Sequence, residues 1–129
     1  MRCTARMAQP EFRTEITAGG HALVADEPHA RGGGDAGPAP YDLLLASLAA
    51  CTSITLRMYA ARKNWPLEGL GIELSLLGVS ETLRIKRTLA IDGLDADQQA
   101  RLADIAERTP VTLTLKSGLP IDTRLAPQP

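Results

Sequence analysis

The side chains of this 129-residue chain best suited to covalent or metal chemistry are two thiols, Cys3 and Cys51, and two imidazoles, His21 and His29. Their spacing matches no zinc-binding pattern, so no metal centre is expected. No G-x-S-x-G stretch exists to build a serine nucleophile elbow. The segment GGGDAG (32–37) formally matches G-x-G-x-x-G. Prolines separate it from the next helix, however, and about 20 residues on, where an acid would hold a ribose, the chain has Arg57. Nucleotide binding is not expected, nor is any other cofactor.

Cys51 is then the chief candidate. It lies in LLLASLAACTSITLRMYAARK (43–63), a run of small and apolar residues. Two readings are open. Free cysteine is among the most buried residue types and packs as a small hydrophobe. Alternatively it is a nucleophile, which requires help: a thiol at a free pKa of about 8.5 is only a few per cent thiolate at neutral pH. Position 51 is about three turns into its own helix, too far for that helix's N-terminal dipole to act. The segment Thr109-Pro110 reads as another helix start, whose free N–H groups are suited to face a thiolate.

The elements that must position these groups follow from pattern. Residues 1–9 have weak pattern and are expected as a partly ordered arm. Glu11–Thr17 alternates as a strand, Gly19-Gly20 makes a hairpin turn, and His21–Asp26 is its partner. The glycine- and proline-rich stretch from Asp26 to Pro40 is a long loop, of the kind that often carries function. Pro40 and Asp42 suit a helix start, and the helix runs to about Lys63. Leu70–Leu77 and Thr82–Ile91 form a second hairpin, with Arg84, Lys86 and Arg87 expected to point outward. Asp95–Arg108 is a helix capped by Asp95 or Asp97. Thr109 and Pro110 then open a short helix to about Lys116. Leu119–Leu125 reads as a final strand. The order indicates an α+β fold of antiparallel hairpins. The 43–60 helix is apolar on every face and needs partners on every side. An obligate homodimer with a shared core is therefore expected.

Composition narrows the rest. Hydrophobic residues make up 44% and charged residues 22%, as in a soluble globular domain. The net charge of −1 and 3% aromatics give no basis for a nucleic-acid partner. The longest apolar run, Leu43–Ala50, is too short to span a bilayer. With two cysteines and no export-type leader, a reducing cytoplasmic setting is the expectation.

The stretch GGGDAGPAPYDLLLASLAACTSITLRMYAARKNWPLEGL resembles the OsmC/Ohr family, and LADIAERTPVTLTL is similar to its second signature. The resemblance spans roughly residues 11–125. It implies a single OsmC-like domain in an intertwined homodimer, with helices central and sheets outside. It also implies thiol-dependent reduction of organic hydroperoxides, with Cys51 at the peroxidatic position. Three other positions depart. Thr109 stands where the resolving cysteine belongs, His21 is the nearest match to the family's arginine, and Tyr41 followed by Asp42 replaces its glutamate. Thr109 cannot form a disulfide, and Cys3 could resolve only if the N-terminal arm folds back, so an external thiol is the expected reductant. Its hydroxyl is suited to capping the helix or bonding a thiolate. His21 is a pH-dependent substitute for arginine. Asp42 either caps its helix or orients His21. The alternative reading is a non-catalytic dimer that binds a small apolar ligand or senses redox state through Cys51.

Overall fold

The computed structural model describes residues 1–7 and 11–127. The chain forms two compact units, Met1–Ser47 and Leu48–Pro129. It is α+β with antiparallel strands, as the sequence pattern indicates.

The first unit is built on a three-stranded antiparallel sheet, β1 (Cys3–Met7), β2 (Thr14–Ala18) and β3 (His21–Ala25), in that order. Gly19 and Gly20 close the β2–β3 hairpin with φ of 56° and 83°. Positive φ at both positions gives the turn whose twist matches that of its strands. The expected N-terminal arm is corrected here: Cys3–Met7 pairs along β2, with Cys3 opposite Ala18 and Met7 opposite Thr14. Every side chain of β1 is exposed, so backbone pairing holds the strand and no apolar alternation marks it. Residues 8 and 9 of that arm lie outside the described residues.

The glycine-rich loop is tied down from within. Asp26 is buried, and its carboxylate accepts the N–H groups of Glu27 at 2.7 Å and Ala36 at 3.1 Å. Burial pushes this carboxyl up. The N–H groups of Ala36, Glu27 and Gly34 outweigh that, with help from the Arg13 charge, and hold it below its ordinary value. Asp26 N–H also donates to Pro38 O, and Asp35 N–H to Glu27 O. At Gly33 and Gly37 a Cβ would lie 2.0 Å from Glu27 O and 2.1 Å from Val24 O. Here the glycines are required because backbone packs on backbone.

Helix α1 (Pro40–Arg62) begins in the first unit and continues into the second. Asp42 sits in its first turn and accepts Ala39 N–H at 3.0 Å, a one-sided cap because alanine has no side-chain acceptor to return it. Leu48, Thr52, Leu56 and Ala60 form its buried stripe in the second unit. By length and composition alone α1 could cross a bilayer. On its other faces Ile54 and Met58 are 59% and 55% exposed.

The second unit continues with the hairpin β4 (Gly69–Leu77) and β5 (Arg84–Asp92), then α2 (Ala96–Ala106) and α3 (Pro110–Ser117). Asp95 caps α2 in a capping box with Gln98. Leu56 and Leu102 are fully buried, with Ala60, Leu67, Leu94 and Ala106 around them. Each such leucine contributes about 1.5–3 kcal/mol of apolar burial. Two expectations need correction. Arg84 and Lys86 point outward, but Arg87 shares the inward face of β5 with Ile85 and Leu89, since side chains alternate strictly. The expected final strand Leu119–Leu125 pairs with nothing among the described residues. Leu119, Ile121 and Leu125 are 69%, 86% and 94% exposed. An alternating segment needs a neighbouring edge to become a strand.

Candidate active site around Cys51

Cys51 is half-buried on α1, and its Sγ accepts the backbone N–H of Val111 at 3.5 Å. Val111 is the second residue of α3, where N–H groups have no partner within the helix. Thr109 and Pro110 place the helix start there: Pro fixes φ and lacks the hydrogen that would go unpaired. The sulfur thus lies at the start of a helix other than its own and takes one of its otherwise unpaired N–H groups. This is the geometry the Thr109-Pro110 motif leads one to expect.

Behind the thiol lies a buried polar cluster. Thr52, Thr109 and Thr112 are 0%, 1% and 4% exposed. The Arg87 side chain is 12% exposed and reaches all three helices of this unit. Its Nη1 donates to Thr52 Oγ1 and Thr112 Oγ1, both at 3.0 Å, and its Nη2 to Ala106 O at 2.8 Å. Thr112 Oγ1 donates to Ala106 O at 3.2 Å and lies 2.6 Å from Thr109 Oγ1. With its one proton so used, Thr112 accepts from Thr109 and Arg87. Thr52 likewise donates to Leu48 O at 2.7 Å and accepts from Arg87. Glu107 approaches Arg87 at 4.0 Å and is held more closely by Lys116 at 2.9 Å. Both cations keep the Glu107 carboxyl below its usual range, Lys116 first through a direct hydrogen bond.

Thr109 is therefore the residue before α3, as expected, but its hydroxyl bonds Thr112. His21 stands exposed at the start of β3, and Asp42 caps α1. Both belong to the first unit, whereas Cys51 and Thr109 belong to the second. Sequence reasoning missed Val111, which acts through its backbone, and the Thr52–Arg87–Thr112 cluster. The signal for Arg87 was available: with Ile85 and Leu89 inward, position 87 must be inward too.

Next to the cluster is a groove of about 760 Å³ with aliphatic walls from Leu76, Leu83, Ile85 and Leu115. Leu48, Arg87 and Thr112 reach its surface; Cys51 is not among the residues that line it. Among the described residues no group of side chains is arranged to hold a metal ion.

No curated protein matches the chain. Several solved structures do. An organic hydroperoxide resistance protein OsmC from Legionella pneumophila is 25% identical, with 89% of this chain and 88% of that one covered and a TM-score of 0.65. An OsmC-like protein from Mycoplasma pneumoniae is 21% identical over 89% and 86% of the chains, with a TM-score of 0.72. A protein from Psychrobacter arcticus 273-4, named provisionally for osmotic stress induction and a detoxification response, is 22% identical over 92% and 88%, with a TM-score of 0.74. The sequence profile of OsmC-like proteins matches residues 32–124, from the glycine-rich loop through the thiol helix and past α3, and the chain belongs to the OsmC-like family.

Proposed function

We propose that the chain reduces organic hydroperoxides through Cys51, with an external thiol as reductant. The observation that carries this reading is the Val111 N–H at 3.5 Å from Cys51 Sγ, at the start of α3. The thiolate attacks the O–O bond; with a proton taken up, ROOH leaves as the alcohol ROH and the sulfur becomes the sulfenic acid Cys51–SOH. Thr109 offers no second sulfur, so an external thiol R′SH condenses with the sulfenate, releasing water and forming a mixed disulfide. A second R′SH displaces Cys51 as thiol and leaves R′SSR′. The hydroperoxide resistance protein from Legionella pneumophila supports this chemistry by its likeness. Such a cycle belongs in a reducing, cytoplasmic compartment, with neither a membrane nor a nucleic acid as partner.

The functional state in this reading is a homodimer. Exposed Ile54 and Met58 on α1, Leu113 on α3, and Leu119, Ile121 and Leu125 beyond it favour a second copy as their cover.

One observation favours a second reading. The aliphatic groove beside Arg87 does not include Cys51 in its lining, which suits a protein that binds a small apolar ligand and uses Cys51 as a slow redox sensor. Turnover of cumene hydroperoxide separates the two. With dithiothreitol or a dihydrolipoyl donor, the first reading expects peroxide consumption and a trappable sulfenate in the native protein, and neither in Cys51→Ser. Absence of Cys51-dependent turnover with both donors overturns it. A monomer by light scattering at micromolar concentration overturns the dimer.

A further inference from the structure

We propose that Arg87 is a positioning residue that holds Cys51 against the start of α3, an inference that rests on the thiol chemistry proposed above. A guanidinium taken into the interior is costly unless its donors are met. Arg87 meets them at Thr52, Thr112 and Ala106. Thr52 directly follows Cys51 in the chain, and Thr112 directly follows Val111. One planar cation thus joins the neighbours of the two atoms that make the N–H to sulfur contact. The link to Ala106 O adds the end of α2, which leads through Thr109 into α3. A guanidinium fork spans acceptors in fixed geometry, which an ammonium cannot do. The charged groups facing Arg87 are Glu107, at 4.0 Å and also bound to Lys116, and Arg84 and Lys116 on the shared groove.

The test uses the full chain carrying Cys3→Ser, so that Cys51 is the sole thiol. Alkylation by iodoacetamide is timed at about pH 7 and about pH 10.5; at the higher pH a thiol is largely thiolate whatever its surroundings. In Arg87→Met the neutral rate falls about tenfold relative to the alkaline rate, the effect of losing the Val111 N–H from the thiolate. Arg87→Lys recovers only part of that ratio. Should Arg87→Met not fold, Thr52→Val and Thr112→Val each remove one strut and lower the ratio about threefold. A structural role alone changes stability, or both rates together, and leaves the ratio where it was. A ratio within twofold of the parent in the folded variants overturns the proposal. Peroxide turnover through Cys51 with an unchanged ratio refutes Arg87 positioning alone. A lowered ratio in a protein without peroxide turnover refutes the peroxidase reading alone.

Discussion

Replacing Thr112 by valine keeps the volume of a side chain that is 4% exposed and deletes the hydroxyl on which the cluster converges. The lost contacts are the donation to Ala106 O at 3.2 Å, the pair with Thr109 at 2.6 Å and the acceptance from Arg87 at 3.0 Å. Ala106 O keeps Arg87 Nη2 at 2.8 Å and loses little. The Thr109 hydroxyl, 1% exposed, is left facing a methyl group, which costs about 1–3 kcal/mol. One N–H of a charged guanidinium loses an acceptor, worth about 1.5–3 kcal/mol, reduced because Arg87 borders the groove. The sum is about 3 kcal/mol. Thr112→Ser keeps every hydrogen bond and removes one methyl, a loss of about 1 kcal/mol. Urea unfolding at one fixed protein concentration measures both, and the valine variant melts about 10 °C below the parent. If Thr112→Val proves as stable as Thr112→Ser, the hydroxyl cluster does not hold this unit together and the reasoning fails.

Three further outcomes follow from other parts of the chain. The Asp26 carboxyl lies below its ordinary value, so its stabilising effect is complete above the unfolded value of about 3.9 and is lost as pH falls through the lower folded value. The amide resonances of Glu27 and Ala36 therefore titrate together below about pH 4, and Asp26→Asn abolishes that titration; independent behaviour of the two amides contradicts the assignment. Gly37→Ala places a methyl 2.1 Å from Val24 O and destabilises the first unit by more than 2 kcal/mol by denaturant unfolding, on the order of other overpacking changes. Cys3 is exposed on β1 and lies outside the proposed cycle, so Cys3→Ser retains peroxide turnover with an added thiol; a loss of turnover would give Cys3 the resolving role.

Local chemistry explains which elements were legible in advance. Gly19-Gly20, Pro40, Asp95 and Thr109-Pro110 each act within a few residues, and each sits where its turn or cap requires. The start of α3 was legible from local signals, whereas its meeting with Cys51, 60 residues away, was only one candidate until the fold brought the two together. β1 was missed because exposed side chains on both faces leave no period to read. Leu119–Leu125 has the period of a strand, yet strand formation depends on an edge that its own sequence does not specify. Arg87 was misjudged because its partners Thr52, Ala106 and Thr112 lie 35, 19 and 25 residues away. A charged residue reads as solvent-facing until those partners are brought to it. The departures at His21, Asp42 and Thr109 were visible as residue types, but only coordinates reveal that Asp42 is engaged with Ala39 and Thr109 with Thr112.

The loop from Asp26 to Pro40 is rich in glycine yet tied down along its length. Its glycines invite the picture of a swinging gate, which needs two arrangements of similar energy. Gly33 and Gly37 instead let chain lie on chain at distances no side chain would permit. Swinging the loop out would expose Asp26 and undo, together, the bonds at Glu27, Asp35, Ala36 and Pro38. Glycine here sets how closely backbone can lie on backbone, and a side chain at either position would force the layers of the loop apart.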